Sequence, residues 1–112
     1  MVVAPGAMTV ITHFQKLPYD PVKDFSPVGM VYASEFVLVI SPQLPAQNLQ
    51  ELVALAKARP NQLNYATTGA GGSGHLANVL FAMQAGIQTQ HIPYKGAGPA
   101  LVDVISGQIH MF

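Results

Sequence analysis

The residues with the clearest chemical potential lie together at 68–74, Thr68-Gly69-Ala70-Gly71-Gly72-Ser73-Gly74, with four glycines and two hydroxyls. A short β-type run over 63–67 leads into them. Behind them come Leu76, Val79, Leu80 and Met83, spaced i, i+3, i+4, i+7 as on one face of a helix. Strand, glycine loop and helix N-terminus in that order form a recurrent anion site. Glycine lets the backbone approach a ligand and take positive φ. The first N–H groups of the helix lack intrahelical partners and point at the ligand, with the positive end of the helix dipole behind them. The chemistry implied is binding of a carboxylate or a phosphate.

Other readings of the same residues fit less well. Gly69, Gly71 and Gly74 match the dinucleotide pattern GxGxxG between a strand and a helix. The acid expected about 20 residues later, on a ribose hydroxyl, is missing. That position falls near His91, and the next carboxylate is Asp103. No Lys-Ser or Lys-Thr follows the glycines, which excludes a P-loop. Gly71-Gly72-Ser73-Gly74-His75 resembles a nucleophile elbow, but His75 stands where the last glycine belongs. A triad would have to recruit His91 or His110 with Asp103 from elsewhere. His13, His75, His91 and His110 show no HxH or HExxH spacing, so no metal site is expected. His75 reads as a capping or packing residue at a helix start. The bland alternative is a glycine loop that only makes a tight turn. Lys95, the only Lys or Arg after Arg59, would sit beside Gly96 in a loop at the same end of the sheet, where it could assist an anion.

The elements that position these residues follow from pattern. Residues 2–4 read as a strand ended by Pro5-Gly6, and 7–15 as a short helix. Pro18, Pro21 and Pro27 make 16–27 a connecting loop, expected to cross between two lobes. Residues 28–33 and 36–41 read as strands, the second apolar throughout and expected to be buried on both faces. Asn48 as N-cap with Glu51 three residues on forms a capping box. Leu49, Leu52, Val53 and Ala56 would be that helix's core face, and it should stop before Pro60, with Lys57 and Arg59 at its negative end. A helix over 74–85 should close at Gly86 in the left-handed conformation. A strand comes next over 90–93, then a helix opened by Pro99 with Leu101, Val104 and Ile105 as its stripe, ended by Gly107. A last strand covers 108–112. The order β-α-β-α-β after Leu63 predicts an α/β fold with parallel strands and helices packed on the sheet.

Composition narrows the partners. Five basic residues balance five acidic ones, which leaves no basic surface to follow a nucleic-acid backbone. There is no Cys, so neither a disulfide framework nor a thiolate metal site is available. The uncharged stretch between Arg59 and Lys95 is broken by Pro60 and five glycines, so it offers no run of about 20 apolar residues. Residues 1–6 lack the basic and apolar regions of a signal peptide. Residues 2–4 begin like a strand already under way and 108–112 end within one, so the chain reads as a piece of a longer protein. With 50% hydrophobic residues, self-association is expected.

Leu17-Pro18-Tyr19-Asp20-Pro21-Val22-Lys23-Asp24-Phe25-Ser26-Pro27-Val28 resembles a segment of the Bug receptors, the periplasmic solute-binding subunits of tripartite tricarboxylate transporters. Residues 51–60, ending Ala56-Lys57-Ala58-Arg59-Pro60, and 63–69 resemble their middle segment. Gly71 with His75-Leu76, then His91-Ile92-Pro93-Tyr94-Lys95-Gly96 with Pro99-Ala100, Asp103 and Gly107-Gln108, resembles the next stretch of those receptors. The last group is the most specific, and the resemblance runs in order through almost the whole chain.

The resemblance implies a two-lobed receptor of the periplasmic-binding-protein type that closes on a small organic acid and delivers it to membrane subunits, without catalysis and without a cofactor. Residues 1–27 would be a remnant of the first lobe with the connection, and 28–112 an incomplete second lobe. Thr68, Gly69, Gly71, Gly72, Ser73 and Gly74 would hold the carboxylate, with Lys95 and Gly96 as the neighbouring loop. Two positions depart from the family's habit. Gly72 replaces a Ser or Thr, so one hydroxyl is lost, and whether the adjacent Ser73 replaces it is left open by the sequence. Val79 replaces a Glu, which bears on a structural contact rather than on the ligand.

Overall fold

A computed structural model of the chain describes Thr12, residues 16–30, Ala33 and residues 35–112. The strand expected at 2–4, and all of the helix expected over 7–15 except Thr12, lie outside the described residues.

Helix α1, Leu49–Ala58, begins where the sequence places it. Asn48 accepts the N–H of Glu51 at 2.9 Å, and the Glu51 carboxylate turns back to the N–H of Gln47 and the amide of Asn48. One orphan helix donor, the Glu51 N–H, is thereby satisfied, and the Gln47 N–H just before the cap is taken up as well. Leu52 and Ala56 are buried, whereas Leu49, expected on the core face, is exposed. It lies in the first turn and lines a cleft instead.

Strand β1, Asn64–Thr67, helix α2, Ser73–Ala85, strand β2, Gln90–Pro93, and helix α3, Ala97–Ile105, follow in order. β1 and β2 pair in parallel, with Tyr65 opposite His91 and Thr67 opposite Pro93. Met111 bridges β1 in parallel at Tyr65 and pairs antiparallel with Ile40 on its other side. Val39 and Phe112 exchange both backbone bonds at 2.8–2.9 Å. The sheet therefore runs 39–41, 110–112, β1, β2, and the predicted β-α-β-α-β succession is parallel throughout. Gly86 closes α2 with φ 64° and ψ 42°, the expected left-handed cap.

Alternation along β1 sorts the core. Tyr65 joins Leu52, Ala56, Leu63, Ile87 and Met111 on the face covered by α1 and α2. Ala66 joins Ala100, Val104 and Ile109 on the face covered by α3. β1 is thus buried on both sides, as a parallel strand between helices should be.

Four expectations are corrected. Phe36 and Val37 are 61% and 81% exposed rather than buried, because only 39–41 pair with a neighbour and nothing among the described residues covers the segment before them. Likewise Val28 and Met30 are exposed, and the described residues of 28–33 form no strand. On α2, Leu80 and Met83 face outward while Phe81, Ala82 and Ala85 pack on the core. This helix is apolar around its whole circumference, so spacing alone does not tell which face the sheet takes. On α3 the buried pair is Ala100 and Val104, and Leu101 and Ile105 are exposed. Among the described residues no helix is long and apolar enough to cross a membrane.

Candidate anion-binding loop at the carboxyl edge of the sheet

The in-register parallel pair sends two loops from one edge of the sheet. Residues 68–72 leave β1 after Thr67, and 94–96 leave β2 after Pro93. The Tyr94 N–H donates to the Thr67 carbonyl at 2.8 Å, tying the two exits together. At the carboxyl ends of adjacent parallel strands, this is where α/β sheets hold ligands.

Gly72 is the N-cap of α2, with φ −72° and ψ 167°, and it has no side chain to cap the helix; no acid occupies the first turn. The amides of Ser73 and Gly74 are therefore left to whatever approaches the helix from solvent, with the dipole favouring an anion. The Thr68 and Ser73 side chains are exposed beside them. Thr68, Ser73 and Gly74 also line a mostly apolar cavity of about 480 Å³, which continues over Asn78 and Phe81 of α2 to Phe36, Leu38 and Phe112. One end of the cleft offers amides and hydroxyls, and the other offers hydrocarbon and rings.

The remaining expected residues behave differently. Gly71 is buried with φ 77°, and its N–H donates to His75 Nδ1 at 3.0 Å. Its amide shapes the loop rather than facing the cleft. Gly69, φ 152°, accepts the Thr67 hydroxyl at its carbonyl, 2.9 Å away. Lys95 and Gly96 occupy the second loop, with Lys95 exposed and Gly96 as the N-cap of α3. Neither lines the cavity, and nor do Gly69, Gly71 and Gly72.

A group of aromatic rings lies against the loop. His75, in the first turn of α2, stacks on His91 of β2 with centroids 4.1 Å apart and planes 10° apart. Tyr65 lies 5.1 Å from His91 and 6.3 Å from His75. His91 Nε2 meets the Thr67 hydroxyl at 2.6 Å. Burial holds the His91 imidazole below its ordinary value, and the neighbouring His75 pushes the same way. Burial also raises the Tyr65 phenol, which stays neutral. The packing role expected of His75 is what the structure displays. Its partnership with His91 was not legible, because 16 residues of sequence separate the two and only the strand register joins them. No group of three or more acids or histidines that could hold a metal occurs among the described residues. The carboxylate a dinucleotide would need near the end of β2 is also missing there: Tyr94 and Lys95 follow Pro93, and Asp103 accepts from the Tyr94 hydroxyl.

A parallel sheet covered on both faces, with a glycine loop and an uncapped helix at its carboxyl edge, is the lobe architecture of periplasmic-binding-protein-like receptors. The chain belongs to the tripartite tricarboxylate transporter receptor family, whose pattern it matches over residues 1–112. It is similar to protein BugT of Bordetella pertussis, 40% identical over 93 residues, which are 83% of this chain and 28% of BugT. Among solved structures it resembles R. palustris Rpa4515 with adipate, with TM-score 0.72 and 34% identity over 83% of this chain and 31% of that one. It also resembles MatC of Rhodopseudomonas palustris with bound malate, with TM-score 0.76 and 28% identity over 95% of this chain and 35% of that one. A further similar structure is that of the periplasmic binding protein BugD. The chain thus spans about a third of the length of the proteins it matches.

Proposed function

We propose that this chain carries the carboxylate-holding loop of a solute-binding receptor for small organic acids. In this reading the ligand's carboxylate rests on the amides of Ser73 and Gly74 and the hydroxyls of Thr68 and Ser73, in the field of the α2 dipole. Its carbon skeleton extends over Phe81 and Phe112. Gly69, Gly71 and Gly72 give the loop its shape, and Lys95 with Gly96 belongs to the neighbouring loop outside the cleft's lining. The observation that carries the reading is the uncapped N-terminus of α2 opening onto the cleft beside those hydroxyls. Similar structures holding adipate and malate support it. Residues 28–112 would be the second lobe of the receptor and 1–27 a remnant of the first with the connection. The receptor would work in the periplasm and deliver its ligand to the membrane subunits of a tripartite tricarboxylate transporter. Binding needs no group to react, and no catalytic role is assigned to any residue.

Amide NMR of the chain titrated with citrate, succinate, an aromatic dicarboxylate and NAD tests this. With about a third of its relatives' length present, affinity in the millimolar range is expected, about 4 kcal/mol. Shifts should concentrate in residues 68–74 for at least one organic acid, with none for NAD. Gly72→Asp supplies the control. Gly72 has negative φ, and a Cβ there would lie 3.7 Å from the nearest heavy atom, so the side chain fits while placing a negative charge among the amides. A tenfold or greater loss is expected. Unchanged affinity in that variant, or a response to NAD alone, would overturn the assignment.

A further inference from the structure

We propose that His75 and His91 are positioning residues for the glycine loop, His91 donating to Thr67 in either charge state and His75 holding the Gly71 amide only while its ring is neutral, so that acid loosens the loop at His75. The consequence for ligand affinity rests on the function proposed above; the response of the loop does not.

The hydrogen-bond network fixes what each ring nitrogen must do. Gly71 N–H donates to His75 Nδ1 at 3.0 Å, so that nitrogen carries no proton. Protonation would set a donor against a donor and remove the bond that turns the Gly71 amide inward. The Thr67 hydroxyl spends its proton on the Gly69 carbonyl at 2.9 Å. Its 2.6 Å contact with His91 Nε2 is therefore one in which the ring donates, which leaves His91 Nδ1 as the basic site. Each ring thus grips the loop through a different glycine, His75 directly at Gly71 and His91 through Thr67 at Gly69.

The two grips are coupled by the stack. Rings 4.1 Å apart and nearly parallel do not both take a proton without repulsion, so whichever ring is protonated first opposes the second. The titratable neighbour both rings share is Tyr65 of β1, whose phenol is neutral across the relevant range; β2 and α2 present the rings to each other. Burial already favours the neutral form of His91. A cationic ring would also attract an anion, which works against the effect of a loosened loop. That attraction is not removed by screening, because His75 directly follows Gly74, inside a Debye length of about 8 Å at physiological salt, but loss of the Gly71 bond acts on the backbone itself and outweighs it. The net result is weaker binding in acid.

The test uses the labelled chain without ligand, titrated from pH 8 to pH 5. The Gly71 amide should shift, and exchange faster, in step with the imidazole signals of His75. The pair His75→Asn and His91→Gln removes the titration while retaining the contacts. The Asn oxygen takes the place of Nδ1 as acceptor, and the Gln amide nitrogen takes the place of Nε2–H as donor. In the double variant Gly71 should stay put across the same range. Malate is then titrated into both proteins at pH 7.5 and 5.5, so that protonation of malate itself cancels. The wild-type affinity should fall at least fivefold more than that of the double variant. A wild-type Gly71 amide that ignores the imidazole titration, or one that moves equally in the double variant, would overturn the proposal. An acid-induced loss of affinity equal in both proteins would overturn it too. Failure of both proteins to bind malate at either pH would tell against the assigned ligand class, while the ligand-free titration still decides the role of the histidines.

Discussion

Residues 68–72 and 94–96 leave the same edge of one parallel pair, and both lead into a helix through a glycine N-cap, yet they are held in different ways. The first is gripped from three elements: Thr67 of β1 reaches Gly69, His91 of β2 reaches Thr67, and His75 of α2 takes the Gly71 amide. The second is anchored where it starts, through the Tyr94 N–H on the Thr67 carbonyl, and by the Tyr94 hydroxyl on Asp103 of its own helix. Lys95 projects into solvent between them. A loop fixed by side chains from several elements arrives at a ligand with its ordering cost already met by folding. A loop fixed at one end retains freedom to move toward a ligand. The first loop is held from three elements, and the second from its start and its own helix.

Thr67→Val should break that difference most strongly. The valine has nearly the same shape, but the buried hydroxyl that joins His91 to Gly69 is lost, and both of those groups are left short of a partner. The expected loss is about 2–3 kcal/mol, read by urea unfolding, with faster amide exchange at Gly69 and Gly71. Thr67→Ser, which keeps the hydroxyl, should recover most of it. If Val and Ser variants unfold alike, methyl packing rather than the hydroxyl holds the loop. A smaller effect is expected from Gly96→Ala on the second loop. Gly96 lies at φ 155° and ψ 167°, a region other residues enter only with strain. A Cβ there meets nothing within 4 Å, so the cost is torsional, about 1–2 kcal/mol. Its exchange effects should stay at the start of α3. Spread of those effects to residues 68–72 would show that the two loops move as one.

What could be read from the sequence depended on how local the cause was. Asn48 with Glu51, the left-handed Gly86, and the strand before and helix after the glycine loop follow from neighbours within a few residues, and each sits where pattern places it. The run Phe36-Val37-Leu38-Val39-Ile40 shows the limit. Its composition says that it prefers cover, but the cover must come from another element, and only 39–41 find one. In α2 the apolar residues surround the axis, and the choice of Phe81 over Leu80 for the core is made by the sheet beneath. The same limit divides the candidate site. The glycine loop is contiguous and could be found by eye. The ring stack needs the register of Tyr65 on His91 and the first turn of α2, and no local signal encodes either.

The weakest expected effect concerns acid, and it separates the loop histidine from a structural one. His110 is tied to Asn64 by its backbone N–H, which donates to Asn64 Oδ1 at 2.8 Å, and by its ring Nδ1, which lies 2.8 Å from Asn64 Oδ1 and 3.1 Å from the Asn64 backbone nitrogen. Burial lowers it below the ordinary value of 6.5, as burial and His75 lower His91. A histidine depressed in the folded state takes up its proton more readily when unfolded. Between its folded value and about 6.5 the unfolded chain therefore binds more protons, and stability rises with pH. The contribution of both residues is complete above about 6.5 and is lost as pH falls through their folded values. Thermal unfolding should accordingly show Tm level from pH 8 to 7 and falling toward pH 5. His91→Gln should flatten part of that slope and His110→Asn another part, each without the other's. If His91→Gln leaves the slope intact while His110→Asn removes it, the ring beneath the loop is not strained by acid. The contrast between the two loops would then have to rest on Thr67 and His75.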